Sequence, residues 1–373
     1  MAEDWIRDNW RVIIAGGGPA AALQIQRLRV AGVAPAEVLL VSESWGAPGM
    51  AFLGAARLQS YVHELDLGTG PALTTSGFVQ PTGTEFHRHA QRVLHRSGAV
   101  LMPGIVTDLC RDPAGFAVRV RIPVGEREFR APCVVLATGT RPKRPPAHLV
   151  HAGARTYDQA YLDVQTGRTG DYADRPVYVI GSGNSAMQTA SLLASVSGSV
   201  MVLAARYVGM YPSETLDRFA WRAPSQLTWE LVVKSSYRER ACDGTGICVR
   251  FLVYRSVEIV GGRLRVTVNA ADNTHQMGRH SRPLLHSHVT AVPVEGGWRE
   301  ESPVASSTVV WATGCDPVYP DSELVAGLTK DANGYLLADE RGQTACPGLF
   351  VTGACAGRRA VNEMVPAQTV EAR

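Results

Sequence analysis

The sequence repeats one strand, turn and helix pattern, and this repeat constrains the fold more than any other feature. Apolar runs at residues 11–14 and 177–180 each lead into a glycine-rich turn and then into helical apolar spacing. The GxGxxA residues are Gly16, Gly18 and Ala21 in the first copy, and Gly181, Gly183 and Ala186 in the second. Such a turn lets the backbone approach a pyrophosphate at the helix N-terminus. We therefore expect two Rossmann-type dinucleotide sites.

The residue that ends the second strand of each copy indicates which dinucleotide binds there. Glu43 follows an apolar run at residues 38–41, and a carboxylate in that place accepts hydrogen bonds from the adenosine ribose hydroxyls. Arg206 has the corresponding place in the second copy, where a guanidinium can pair with the 2′-phosphate of NADP. The alternative for Arg206 is a surface arginine at a strand end. We expect an adenine dinucleotide at the first site and NADPH at the second.

Length, composition and charge exclude several classes of protein. A chain of 373 residues exceeds what one hydrophobic core usually organises, so two packed domains are expected. With 45% hydrophobic residues, 19% charged residues and a net charge of +3, the chain is expected to be a soluble globular enzyme. Neither nucleic acid nor a membrane is an expected partner, because the cations are scattered and no apolar run approaches about 18 residues. The polar N-terminus lacks a secretory pattern, so we expect a cytoplasmic address.

The cysteines and histidines give no clear site of their own. The seven cysteines include no CxxC pair, and structural disulfides are rare in the cytoplasm. Cys242 and Cys248 flank DGTGI, where they form either a redox pair or, as we favour, two unrelated thiols. His280, His286 and His288 lie in one polar segment that reads as a loop, and no metal site is expected there.

Two glycine turns in one chain, with VVLATGTRPKRP and its later repeat VVWATGCDP, resemble the two-dinucleotide-binding-domain flavoproteins. These include thioredoxin reductase-like enzymes and flavin-dependent monooxygenases. The resemblance covers nearly the whole chain and implies FAD at the first turn and NADPH at the second. The expected cofactor-binding residues are Gly16, Gly18, Pro19, Ala20, Glu43, Gln59, Gly181, Gly183, Asn184, Ser185, Arg206, Thr313, Gly314, Gly353 and Ala354.

The expected fold class is α/β, with two Rossmann-like domains and a discontinuous FAD domain. Period-2 alternation in GFAVRVRIPV and REFRAPCVVLATG predicts a small antiparallel meander in the FAD domain, and VEIVGGRLRVTVNA predicts a hairpin. The buried-strand patterns of STVVWATG and PGLFVTG predict a return to the FAD domain. The expected bounds are 1–165 for the first part of the FAD domain, 166–304 for the NADP domain and 305–373 for the return segment.

Three features select a branch within this superfamily. The chain lacks the CxxC of the thioredoxin reductase-like enzymes, and Ala354 stands where their TGD-like motif has its Asp. The segment WGAPGMAFLGAARLQSYVHEL resembles the siderophore-type amine N-hydroxylases. The residues that carry this resemblance are Trp45, Pro48, Gly49, Met50, Gln59, Glu64 and Leu65. It implies that Met50 and Gln59 lie at the flavin ring and that His63 meets the substrate, so these three are the candidate catalytic residues.

The sequence departs from the N-hydroxylase pattern at several positions. Gly46 replaces the histidine after the tryptophan, His63 replaces a lysine, and Cys315 replaces the tyrosine that usually ends the second ATG motif. The monooxygenase signature survives at best as His151 and Tyr157. These departures concern the substrate more than the cofactors.

The resemblance implies an NADPH-dependent FAD monooxygenase that transfers one oxygen atom from O₂, via a flavin hydroperoxide, to a small-molecule nucleophile. An amine nitrogen is the expected acceptor, so the activity would be N-hydroxylation. Two alternatives stay open: an NADPH-dependent flavin reductase or thiol oxidase of the thioredoxin reductase-like branch, and a non-catalytic redox-sensing flavoprotein. Assembly into a homo-oligomer is also left open.

Overall fold

The computed structural model describes residues 7–47, 58, 67, 81–181, 183–197, 199–205, 248–270 and 286–357. The chain divides into two compact units, the first made of Met1–Ala55, Ser60–Arg141 and Asp316–Arg373, and the second of Ala56–Gln59 and Pro142–Cys315. The helices are α1 (Pro19–Val30), α2 (Gly83–Arg96), α3 (Ala147–His151), α4 (Tyr157–Gln165), α5 (Asn184–Leu193) and α6 (Glu323–Ala326). The strands are β1 (Val12–Ala15), β2 (Val38–Ser42), β3 (Val100–Pro103), β4 (Ile105–Asp112), β5 (Gly115–Ile122), β6 (Gly125–Ala131), β7 (Cys133–Leu136), β8 (Thr140–Pro142), β9 (Arg155–Thr156), β10 (Pro176–Ile180), β11 (Ser199–Ala204), β12 (Cys248–Val260), β13 (Arg263–Asn269), β14 (Thr290–Val294), β15 (Gly297–Pro303), β16 (Thr308–Trp311), β17 (Cys315–Pro317) and β18 (Leu349–Val351).

The first unit is built on a five-stranded parallel sheet with the order β18-β7-β1-β2-β3. The central strand β1 is apolar throughout, and all four of its residues are buried. Continuous apolar runs are typical of parallel strands that are covered on both faces. Helix α1 follows β1 directly and buries Ala21, Ile25 and Leu28. The predicted first βαβ unit is confirmed.

A three-stranded antiparallel sheet with the order β4-β5-β6 also belongs to the first unit. In β5 the buried residues Val118 and Val120 alternate with the exposed residues Arg119 and Arg121. This alternation is the period-2 pattern from which the meander was predicted, and the prediction is confirmed.

The second unit contains an eight-stranded mixed sheet with the order β14-β15-β13-β12-β11-β10-β16-β9. Strand β12 is long enough to pair in two directions, parallel to β11 in its first half and antiparallel to β13 in its second half. The register shifts between Tyr254 and Ser256, where the pairing changes. Gly261 and Gly262 turn the chain from β12 into β13, so the predicted hairpin is confirmed.

One strand assignment from the sequence is wrong, and its pairing shows why. Strand β16, from STVVWATG, lies between β10 and β9 in the second sheet, whereas β18, from PGLFVTG, pairs with β7 in the first sheet as predicted. Strand β9 and helix α4 also belong to the second unit. The division of the chain therefore lies at Arg141 and Cys315, rather than at the expected bounds of residues 165 and 304.

The described residues contain neither a membrane-spanning helix nor a group of three metal-ligating side chains. No helix among them is long and apolar enough to cross a membrane. Across the same ranges, no three His, Cys, Asp or Glu side chains are grouped so that they could hold a metal ion.

Candidate functional site

The first glycine turn lies between β1 and α1. A close contact with the backbone of Ala137 explains why its first residue is glycine. Gly16 has a φ of +121°, and a Cβ there would lie 2.2 Å from the carbonyl oxygen of Ala137. The Gly16 N–H donates to Val41 O over 2.8 Å, and the Ala137 N–H donates to Ala15 O over 2.8 Å. Both the backbone conformation and the close contact require glycine. The first ATG motif, which begins at Ala137, thus packs against the turn.

The second turn repeats this geometry. Gly181 has a φ of +141°, and a Cβ there would lie 2.1 Å from the carbonyl oxygen of Ala312. The Gly181 N–H donates to Leu203 O over 2.7 Å, and the Ala312 N–H donates to Ile180 O over 2.8 Å. Each ATG motif therefore packs behind the glycine turn of its own unit. The sequence predicted both turns but missed this role of Ala137 and Ala312, although the repeated ATG motif was the available signal.

Both helices that follow the turns present an open N-terminus. Their N-cap residues are Gly18 and Gly183, so neither cap has a side chain, and neither first turn contains an acidic residue. Among the described residues, a Cβ at Gly183 would have no atom within 4 Å, and one at Gly18 would meet only the Gly46 oxygen at 3.8 Å. Unpaired N–H groups at a helix N-terminus bind anions. The two turns therefore fit the pyrophosphates of FAD and of a nicotinamide dinucleotide.

The closing segment of the chain reaches the first turn. Strand β18 leads into a 3₁₀ helix, Gly353–Ala356, at whose start Gly353 has a φ of +71°. A Cβ at Gly353 would lie 2.6 Å from the Cβ of Ala20, so the start of this helix contacts the first turn of α1. Gly353 and half-buried Ala354 are thereby brought to the expected FAD site. Their contacts with the cofactor remain predictions.

Cys355, in the same short helix, is fully buried. Its thiol donates to Thr352 O over 3.1 Å and to Leu136 O over 3.4 Å. Burial raises the pKa of this thiol above its ordinary value, and hydrogen bonds from Gly139 and Thr138 oppose the rise only in part. A buried, protonated thiol of this kind packs the core and is not nucleophilic.

Residues after β2 lie between the first glycine turn and helix α2. A Cβ at Gly17 would lie 2.5 Å from Ser44 O and 2.6 Å from Trp45 Cε3. The Gly46 N–H donates to Gly17 O over 2.8 Å, and the Ala47 N–H donates to His87 Nδ1 over 3.0 Å. The segment that resembles the amine N-hydroxylases therefore begins against the first turn.

Neighbouring contacts explain why residue 46 is glycine, where the amine N-hydroxylases have histidine. Gly46 has a φ of +100°, and a Cβ there would lie 2.6 Å from Gln91 Cγ and 2.9 Å from His87 O. No side chain fits between these two residues of α2.

The remaining candidate residues are placed as follows. Glu43 is exposed directly after β2, and Thr313 and Gly314 are exposed directly after β16. The backbone of Asn184 begins α5, and Ser185 lies in its first turn. Several candidates lie outside the described residues and stay predictions: Pro48, Gly49, Met50, Gln59, His63, Glu64, Leu65, Arg206 and Cys242.

Known structures with this fold span several chemistries. The bacillithiol disulfide reductase of Bacillus cereus is 20% identical to this chain, covers 95% of it with 93% of its own length, and superposes with a TM-score of 0.62. An ornithine N-hydroxylase of Kutzneria sp. 744 is 17% identical, with 98% and 96% coverage and a TM-score of 0.63. A flavin-containing monooxygenase of Stenotrophomonas maltophilia is 15% identical, with 96% and 95% coverage and a TM-score of 0.62. At such identities the likeness establishes the fold.

No curated protein matches the sequence. The family described as pyridine nucleotide-disulphide oxidoreductase matches residues 10–223 and 264–373, which is most of the chain and includes both glycine turns. The predicted fold class and the prediction of FAD together with a nicotinamide dinucleotide are confirmed. The chain therefore belongs to the pyridine nucleotide-disulphide oxidoreductase family, whose members are flavin-dependent oxidoreductases that bind FAD and NAD(P)H.

Proposed function

We propose that the chain is an NADPH-dependent FAD monooxygenase that transfers one oxygen atom from O₂ to an amine nitrogen of a small molecule. One observation carries this proposal: the segment that resembles the amine N-hydroxylases starts against the first glycine turn. Trp45 packs on Gly17, and the Gly46 N–H binds Gly17 O. This start supports the proposed position of Met50 and Gln59 at the flavin ring.

The residues of the chain have three tasks in this proposal. When bound, FAD takes electrons from the nicotinamide and activates O₂. The open N–H groups of α1 and α5 hold the two pyrophosphates. Met50 and Gln59 line the flavin ring and exclude water from it. His63, with Glu64 beside it, contacts the substrate.

The proposed substrate is an amine other than free ornithine or lysine. A free alkylamine has a pKa near 10.4 and is almost wholly protonated at pH 7, so the site must take up or generate the neutral form, whose lone pair attacks. In the amine N-hydroxylases that this segment resembles, a lysine helps to hold the amino acid carboxylate. This chain has His63 at that position. Histidine is shorter and mostly neutral at pH 7, which weakens carboxylate binding.

Coupling between NADPH oxidation and hydroxylation tests this proposal. Hydroxylamine formed per NADPH consumed is measured across a panel of amines under ¹⁸O₂, with hydrogen peroxide release followed in parallel. We expect coupled, ¹⁸O-labelled product from an amine that lacks the free amino acid carboxylate, and mainly peroxide with ornithine or lysine. Near-stoichiometric hydroxylation of ornithine refutes the substrate class. Oxygenation of a thioether or ketone, with no reaction of any amine, refutes N-hydroxylation.

A charge substitution tests the proposed role of His63 in substrate binding. We expect His63→Lys to raise the yield of hydroxylamine from ornithine, because it restores the cation that the N-hydroxylases have. The matched control is His288→Lys, which adds the same charge at an exposed position of the second unit. An equal effect of both variants, or no effect of His63→Lys, contradicts the proposed role of His63.

The preference for NADPH over NADH is a further part of the proposal. A charge-assisted contact with the 2′-phosphate contributes about 1.5–3 kcal/mol, which corresponds to a roughly ten- to hundredfold effect. We expect Arg206→Ala to raise the KM for NADPH by this factor and to leave the KM for NADH unchanged. Arg255→Ala, at an exposed position of β12, is the control. Full NADPH preference in Arg206→Ala would assign Arg206 to the surface.

The second candidate function is an NADPH-dependent flavin reductase or thiol oxidase, since one solved relative is a disulfide reductase. Two of the described cysteines give it little support: Cys355 is buried and protonated, and burial raises the pKa of the Cys133 thiol to about 12. This candidate would use Cys242 and Cys248, or no cysteine at all. Loss of turnover in Cys242→Ser favours it. Reduction of the flavin without repeated turnover, under any substrate, favours a redox sensor instead.

A further inference from the structure

Helix α2 presents a row of exposed arginines on the first unit. Arg88, Arg92 and Arg96 follow one another at intervals of four residues, so they lie on one side of the helix along about 12 Å of its axis. Gln91 and His95 lie beside this row. We call these five residues the arginine face. A cavity of about 390 Å³ opens on the arginine face, and all the described residues that line it belong to this face.

The positive charge of this face is not neutralised within the described chain. Glu85 is the single acidic residue of α2, and it caps the helix: the Thr82 N–H donates to Glu85 Oε2 over 2.7 Å, and the Glu85 N–H donates to Thr82 Oγ1 over 3.1 Å. None of the ion pairs between described residues includes Arg88, Arg92 or Arg96. Like charges four residues apart destabilise a helix. The row of arginines therefore does not serve the stability of α2.

The helix dipole accounts for only part of this charge. His95 and Arg96 lie in the last turn of α2, where cations are favoured. Arg88 and Arg92 lie in the middle of the helix, where this effect is lost. The opposite side of α2 is apolar and buried, so the arginines are presented on a packed helix.

The arginine face adjoins the start of the segment that resembles the amine N-hydroxylases. A Cβ at Gly46 would lie 2.6 Å from Gln91 Cγ, and the Ala47 N–H donates to Nδ1 of His87, in the preceding turn of α2. A molecule that binds to the arginine face therefore lies beside the residues that contact the first glycine turn.

The geometry favours an acidic helix over other anions. Small-molecule sites enclose most of their ligand, whereas all the described residues around this cavity belong to one helix. Nucleic acids and anionic membranes are attracted by broad basic surfaces, whereas the net charge of the chain is only +3. Glutamates at intervals of four residues on a partner helix repeat the spacing of the arginines and accept their bidentate hydrogen bonds. Arginine clusters recognise acidic segments in other complexes in this way.

We propose that the arginine face of α2 is a docking surface for an acidic helix of a partner protein. Arg88 and Arg92, which the helix dipole does not favour, are the main contacts. The inference goes beyond the proposed function and does not depend on oxygen transfer, so failure of N-hydroxylation leaves it standing.

Fluorescence anisotropy with the full-length, FAD-loaded protein tests the proposal. The probe is a labelled, alanine-rich helical peptide with glutamates at intervals of four residues. One control peptide has glutamine in those places, and a second has the same number of glutamates distributed around the helix. We expect saturable binding of the probe that NaCl weakens, weaker binding of the second control, and none of the glutamine peptide.

Paired variants of the protein locate the binding. We expect Arg88→Gln with Arg92→Gln to raise the Kd of the probe roughly tenfold, because each exposed ion pair contributes a few-fold. The matched control is Arg29→Gln with Arg121→Gln, which removes the same charge at exposed positions of the same unit and leaves the Kd within about twofold. Lysine at positions 88 and 92 keeps the charge without the planar fork, so we expect an intermediate Kd. All variants are expected to keep the FAD absorption spectrum.

Several results would overturn the proposal. They are the absence of saturable binding of the probe, equal weakening by the two glutamine pairs, and equal affinity for the peptide whose glutamates are distributed around the helix. Tighter binding of oligothymidylate or of phosphatidylserine vesicles than of the probe, lost in the Arg88→Gln and Arg92→Gln protein, would assign the arginine face to nucleic acid or to a membrane instead.

Discussion

Alanine substitutions at two glycines of the second turn are expected to affect dinucleotide binding and folding separately. Gly183 has a φ of −80°, which alanine adopts freely, and a Cβ there would meet no described atom within 4 Å. Gly181 has a φ of +141°, and its Cβ would lie 2.1 Å from Ala312 O. An alanine at position 183 therefore projects into the space proposed for the pyrophosphate. An alanine at position 181 projects into the backbone of the second ATG motif.

The expected magnitudes differ accordingly. We expect Gly183→Ala to change the free energy of unfolding by less than about 1 kcal/mol, because a small gain from the unfolded state offsets a weaker N-cap. We expect its Kd for NADP⁺ to rise roughly ten- to hundredfold, which is the loss of one hydrogen bond to a charged group. We expect Gly181→Ala to lose about 3 kcal/mol or more of stability, from backbone strain together with the steric overlap.

The assay combines thermal unfolding, FAD content and titration with NADP⁺. FAD content serves as the internal control, because the first turn belongs to the other unit. The reciprocal variant is Gly18→Ala, whose φ of −89° also tolerates alanine and whose Cβ would lie 3.8 Å from Gly46 O. It is expected to lower FAD retention without loss of stability. A folded Gly183→Ala protein that binds NADP⁺ within twofold of the wild type would refute the assignment of the second turn.

Three further predictions address stability, thiol reactivity and the first site. Asp163→Ala is expected to lower the free energy of unfolding by about 2 kcal/mol in urea denaturation, since the 5% exposed carboxylate accepts a hydrogen bond from the buried Tyr172 hydroxyl over 2.9 Å, and its ion pair with the one-third exposed Arg155 adds little; a loss below about 1 kcal/mol would contradict this. Mass spectrometry after alkylation of the native protein at pH 8 should find exposed Cys110 labelled well before Cys133, because a thiol with a pKa of about 12 is ionised in only about one molecule in ten thousand. Finally, His87→Ala should release FAD more readily than the wild type, while His87→Asn, whose amide oxygen can accept the Ala47 N–H, should retain it; equal FAD loss from both variants would argue against this hydrogen bond as the cause.

The glycine turns, the meander and the hairpin could be predicted because each depends on residues close together in the sequence. Strand β16 could not be placed in the same way. Its apolar run, TVVW, indicates a buried strand, but any covered parallel sheet accepts such a run. Its neighbours are β10 and the two-residue strand β9, which is too short to recognise in a sequence. Sheet membership depends on these distant pairings.

The same distinction between local and distant contacts decides which parts of the candidate site could be predicted. The sequence indicated Gly16 and Gly181, yet the reason for each glycine is a carbonyl more than a hundred residues away. The reason for Gly46, where the amine N-hydroxylases have histidine, lies in its contacts with α2, which is distant in the sequence. The contact between the Tyr157 hydroxyl and Cys315 Sγ had no local signal, since two separate elements bring these residues together. The roles of Met50, Gln59 and His63 still rest on resemblance alone.

The place of β18 in the first sheet has a consequence for how the protein is made. Strand β7 pairs with β1 on one side and with β18 on the other, so its second edge stays open until Leu349–Val351 has left the ribosome. The contact of Gly353 with Ala20 also forms only then. Domains generally fold as units, and unpaired strand edges promote aggregation. We therefore expect the nascent chain to need protection through most of its synthesis, and FAD to be captured only after translation of the closing segment.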